Sequence, residues 1–184
     1  MKKVLLTLLI LASVMKSFSQ SELKRFKQPK QDERDKRVYN VTKNNGGLTL
    51  YQFSTWLKYS SYNDEVIQLD KDKNLNMWTD EQYAENKAKV AAGGLLFFTT
   101  RRQSLETSNA GNITVIIQDG SGKEIDRIKI DDKYGTYSPS TQYSPLCYYN
   151  TFGVSVKQSF PELKIFVVDQ MANVRYEYIV KCNE

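Results

Sequence analysis

The chain has 184 residues, with 26 Lys+Arg against 21 Asp+Glu, for a formal net charge of +5. Three of those lysines (Lys2, Lys3 and Lys16) lie in an N-terminal segment expected to be removed. The remainder, 23 basic against 21 acidic residues, is too near neutral to argue for nucleic acid as a partner. Histidine is absent, which excludes Ser-His-Asp and Cys-His catalysis, His-based zinc motifs and an imidazole pH switch.

Residues 1–19 have the layout of a cleavable secretory signal. Lys2-Lys3 are followed by an apolar run from Val4 to Val14 and by small residues Ser17 and Ser19 around Phe18, with cleavage expected after Ser19. That run is too short to cross a bilayer, so no transmembrane span is expected in the mature chain. The Ser-Phe-Ser-Gln ending resembles signal peptides of exported proteins of the Bacteroidota, which implies a periplasmic or extracellular address in a Gram-negative bacterium.

Residues 20–45 are rich in Lys and Arg with almost no apolar content, and they read as a basic flexible tether. A single β-rich domain is expected over 46–184, beginning near Gly46-Gly47. Leu48–Tyr59 favours a strand through its aromatic content, although Leu50, Phe53 and Leu57 also fit a helical stripe. Val66–Leu69 is a short apolar run, closed by a polar turn at 70–74. Thr79-Asp80-Glu81-Gln82 has capping-box spacing, so one short helix is expected near 80–92, stopped by Gly93-Gly94.

Beyond Gly94 the pattern is β. Leu95–Thr100 reads as a buried strand, Ser104–Gly111 as a polar connection, and Ile113–Gln118 with Glu124–Ile130 as a hairpin round Asp119-Gly120-Ser121-Gly122. Phe152–Val156 is a further strand, and Leu163–Val168 with Val174–Val180 form a second hairpin. The segments ITVIIQD and LKIFVVD share a pattern that ends in Asp. About eight strand candidates and one helix point to a mainly β fold, an antiparallel β-sandwich of immunoglobulin-like type, with a barrel as the alternative.

Three constellations could carry function. Tyr134, Tyr137, Tyr143, Tyr148 and Tyr149 are interleaved with Ser, Thr and Pro; a long connection tied to the core by its own tyrosines and Cys147 is the first reading, and a binding loop the second, because tyrosine offers a rigid surface with a polar tip. Asp70, Asp72, Asn74 and Asn76, with Glu81 at the twelfth place, have the alternation of a calcium loop. Leu75 stands where that loop needs glycine and Trp78 where a ligand is expected, so a polar turn and helix start is the first reading and calcium the second. Cys147 and Cys182 form an even pair in an oxidising compartment, where a disulfide is expected. Arg101-Arg102 could clamp an anion, but adjacent arginines read first as a solvated strand end.

No G-x-S-x-G, P-loop or G-x-G-x-x-G is present, and no other cofactor motif. The expectation is an exported envelope binding module or accessory subunit that recognises a protein or glycan through the tyrosine-rich segment. A small hydrolase with a carboxylate pair, and a periplasmic inhibitor or immunity protein, are the alternatives.

Overall fold

A computed structural model describes residues 35–42, 53–138 and 147–183. The segment expected to be a signal (1–19), most of the expected tether, the beginning of the first expected strand and Tyr143 lie outside these residues. The described chain is mainly β, with nine strands in two antiparallel sheets and two helices.

The strands are β1 (Val38–Asn40), β2 (Phe53–Ser60), β3 (Leu95–Arg102), β4 (Ile113–Asp119), β5 (Glu124–Lys129), β6 (Thr136–Ser138), β7 (Cys147–Ser155), β8 (Glu162–Asp169) and β9 (Val174–Lys181). One sheet has the order β1-β9-β8-β4-β5, the other β2-β3-β7-β6. Both expected hairpins are present as β4–β5 and β8–β9. β1 lies inside the stretch read as a tether: Val38 pairs with Val180 and is buried, so one apolar residue among the charges suffices to dock this segment on β9.

Period-two alternation builds the core, since successive side chains of a strand face opposite sides of the sheet. Leu57 and Tyr59 of β2, Leu96 and Phe98 of β3, Ile113, Val115 and Ile117 of β4, and Leu163, Ile165 and Val167 of β8 are all buried in one cluster. Val38 of β1, Val154 and Val156, with Tyr176, Tyr178 and Val180 of β9, complete it, so the two sheets share a single core. The Tyr178 hydroxyl donates to the carbonyl of Thr55 at 2.6 Å, from one sheet to the other.

Strand register defines two ends. At the distal end, β3 finishes at Arg102 beside Tyr148, and β4 begins where β8 finishes, with Ile113 opposite Asp169. At the basal end, β2 finishes at Ser60 opposite Leu95.

Between these last two residues stand helices α1 (Tyr62–Asn76) and α2 (Asp80–Ala88), neither with a buried residue. α2 is the helix expected near 80–92, closed by the predicted reciprocal bonds between Thr79 and Gln82. α1 replaces the short apolar run and polar turn. Ser61 and Asp64 form a second capping box, and that start outweighs the turn character of the Asp- and Asn-rich residues that follow.

Candidate functional site

The distal end gathers three connections. Residues 103–112 link β3 to β4, residues 130–135 lead into β6, and residues 170–173 join β8 to β9. Side chains that act as backbone substitutes hold the first two together, and the Gln170 amide of the third donates to the Asn112 carbonyl at 3.0 Å. The Asn109 Oδ1 accepts from the amides of Gly111 and Lys133, its Nδ2 donates to Asp132, and the Ser108 hydroxyl accepts from the Gly135 amide. Beneath them, buried Asn150 donates its Nδ2 to the carbonyls of Ser108 and Lys133. Its Oδ1 is buried and meets no partner among the described residues.

This frame positions four of the five predicted tyrosines. Tyr137 of β6 stands directly opposite Tyr148 of β7, and their rings meet edge to face with centroids 5.8 Å apart. That geometry suits the ring quadrupoles. Tyr134, just before β6, is 57% exposed and Tyr137 is 47% exposed. Tyr149 pairs with Thr136 and Arg101, so strand alternation turns it to the opposite face from Tyr148. The predicted set is therefore divided: Tyr137 and Tyr148 are together, Tyr134 stands beside them in sequence, and Tyr149 faces away.

The calcium reading does not survive the fold. Asp70, Asp72, Asn74 and Asn76 all lie on α1, where steps of two residues turn about 200° and cannot converge on one ion from a loop. Glu81 belongs to the first turn of α2. Asp70 accepts from the Tyr83 hydroxyl, Asp72 from Gln68, and Asn76 donates to the carbonyl of Asp72, so these groups brace the helix pair.

The disulfide is corrected too, since both cysteines are free thiols. Cys147 is at the distal end opposite Ser138, whereas Cys182 follows β9 at the basal end beside the Tyr59 hydroxyl. Tyr59 is level with Val154, seven residues along β7 from Cys147. The sulfurs are thus roughly 20 Å apart at about 3.3 Å per residue, where a bridge needs α-carbons within about 7 Å.

The strongest electrostatic feature of the distal end is one the sequence reading assigned to solvent. Arg102 is 1% exposed, and its Nη2 donates to Asp169 Oδ2 at 2.5 Å and to the Thr55 hydroxyl at 3.4 Å. The other Asp169 oxygen accepts from the Ala172 amide in the β8–β9 turn. Tyr176 and Tyr178 lie against this pair, and burial pushes the Tyr176 hydroxyl up to about 12 and that of Tyr178 higher still. Alternation carried the signal: counting by twos from Phe98 reaches Arg102, and from Ile165 reaches Asp169, both on the inner face. Arg102 does grip a carboxylate, but it is the protein's own.

At the basal end a cavity of about 360 Å³ lies between the β4–β5 hairpin and residues 157–160, lined in part by Asp126, Lys157 and Phe160. It contains none of the predicted residues. No protein-family model, curated protein or solved structure matches this chain.

Proposed function

We propose that this chain is an exported binding module or accessory subunit of the cell envelope, recognising a protein or glycan through the tyrosines of its distal end. The observation that carries the reading is the exposed pair Tyr134 and Tyr137, with Tyr137 braced edge to face on Tyr148 by cross-strand pairing. Exposed rings held by a sheet give contact area at low entropic cost, because little side-chain freedom is left to lose on binding.

We further infer that the two sheets form an immunoglobulin-like sandwich. Supporting this, the order β2-β3-β7-β6 matches A-B-E-D of that fold, and β9-β8-β4-β5 matches G-F-C-C′, with β1 added beside G. In that scheme the β3–β4, β6–β7 and β8–β9 connections leave from one end, which makes the tyrosines part of a loop-bearing end suited to recognition. Export rests on the signal-like residues 1–19.

The test is affinity capture from detergent-solubilised envelope of the native host, alongside a glycan array, with the parent chain and a Tyr134→Ser/Tyr137→Ser variant. Both positions are exposed and the ring pair that Tyr137→Ser removes is worth about 0.5–1.5 kcal/mol, so the variant should melt only slightly below the parent and lose the bound species. Equal capture by the two proteins would refute the assignment to these tyrosines.

A further inference from the structure

The two sheets present different outer faces. Each of β4, β5, β8 and β9 carries Asp or Glu, and cations of the chain cover outward rings of that sheet: the Arg175 guanidinium lies 5.4 Å from the Phe166 ring centre and the Lys181 amine 5.3 Å from that of Tyr39. β2, β3, β6 and β7 contain no Asp or Glu. Alternation turns Trp56, Lys58, Phe97, Thr99 and Arg101 away from the core, with Phe97 37% exposed. Among the described residues, Trp56 and Phe97 meet no other ring or cation, and Lys58 and Arg101 have no ion-pair partner.

Gly153 of β7 stands directly opposite Phe97 on the same face. Its backbone lies outside the left-handed region, so no turn demands glycine there. A glycine inside a strand gives up side-chain packing, and one reason for it is the close approach of a ligand. A Cβ at this position would first meet the flexible Leu95 side chain, at 3.3 Å, a contact that a small rotation of Leu95 relieves. Thr151 and Ser155, both exposed, flank Gly153 along β7, so the open Phe97 ring is bordered by hydroxyls. Tyr149, the predicted tyrosine that faces away from Tyr148, joins this face opposite Arg101.

We propose that this outer face binds an acidic polysaccharide, its sugar rings lying on Trp56 and Phe97 and its uronate carboxylates meeting Lys58 and Arg101. The charge pattern sets the ligand class. Lys58 is opposite Phe97, and Arg101 lies four residues beyond Phe97 on β3, about 13 Å away at ~3.3 Å per residue. One small anion cannot span that gap, whereas a chain with carboxylates at intervals can. Trp56, Thr99 and Thr151 form a row between the two cations, and they suit the uncharged part of such a chain: rings take the C–H face of a sugar, and hydroxyls pair with its hydroxyls. A nucleic acid carries a phosphate on every nucleotide and needs cations more densely placed than Lys58 and Arg101. The site shares no residue with the exposed pair Tyr134 and Tyr137 and does not rest on them.

Isothermal titration of the protein with oligogalacturonate, dextran and oligothymidylate tests this. Oligogalacturonate should give saturable heat that weakens as salt rises, and the other two should give none. Lys58→Gln/Arg101→Gln removes charges that have no partner to lose, so it should melt with the parent and bind at least ~10-fold more weakly. Gly153→Val keeps both charges, suits a strand and covers Phe97, so it should also weaken binding at least ~10-fold. Tyr134→Ser/Tyr137→Ser should bind like the parent, which separates this face from the distal tyrosines. The proposal falls if oligogalacturonate gives no heat, or if dextran or oligothymidylate binds as tightly. It also falls if a face variant that keeps the parent's melting temperature binds like the parent, or if the tyrosine variant loses the heat.

Discussion

Arg102 and Asp169 together decide how the distal end is held. Moving either charge out of water costs several kcal/mol, and the pair offsets this only because each group keeps further partners in Thr55 and Ala172. Removing one partner should therefore be far worse than removing both. Arg102→Met or Asp169→Leu is expected to cost about 3–5 kcal/mol, while Arg102→Met/Asp169→Leu costs less than the sum of the two. Urea unfolding of the three variants measures this, and simple additivity would show that the charges are not coupled. The neighbouring Tyr176 gives a pH signature. Its folded value, raised by burial to about 12, lies above the ordinary value of 10, so its contribution is complete below pH 10 and is lost as pH rises through about 12. The part of the tyrosinate absorbance that a Tyr176→Phe variant lacks should appear in that window together with loss of fold.

The helix pair shows how a locally legible element differs from one set by context. α1 begins with Ser61 bonded reciprocally to Asp64, and Asp64 also takes the Arg37 guanidinium at 2.8 Å, tying the helix to the residues before β1. Burial alone would raise the Asp64 carboxyl, but Arg37 and Ser61 outweigh it and hold it below the usual range. Its contribution is present above about pH 4 and lost as pH falls through the lower folded value. Ser61→Ala should cost about 1 kcal/mol, and Asp64→Asn should flatten the acid limb of the stability curve. Millimolar calcium should leave the melting temperature unchanged, since the alternating oxygens are spread round a helix. The capping box of α2 was readable because a helical pattern follows it; that of α1 was hidden because Val66–Leu69 looks like a short apolar run and Asp70–Asn74 like a polar turn. Strand alternation was legible through β4, β8 and β9, where every second residue is apolar. It was misread at Arg102, where the same alternation carries a charge inward. Tyr148 and Tyr149 were grouped as one surface for the converse reason, that adjacency in a strand means opposite faces.

At the scale of the molecule, the antiparallel register fixes which distant residues can meet, and the cysteines give the clearest case. Even count and an exported address favoured a bridge, but both are statements about the compartment, whereas bridging is a matter of distance. β7 starts at the distal end and β9 finishes at the basal end, so strand direction alone places Cys147 and Cys182 at opposite ends of the core. Closing a loop of about 35 residues would contribute about 3–4 kcal/mol. Its reduction would lower the melting temperature by roughly 6–16 °C in a domain of this size. The expected result is no shift with reductant and two titratable thiols in denaturant. In the native state Cys147 is fully buried, and burial raises the Cys182 thiol, which reduces its thiolate fraction near neutral pH. A thiol reagent should therefore label Cys182 slowly and Cys147 more slowly still, since Cys147 is reached only when the structure around it opens. Labelling of Cys147 at the rate of a free thiol, or a single missing pair of thiols in denaturant, would contradict this placement of the strands.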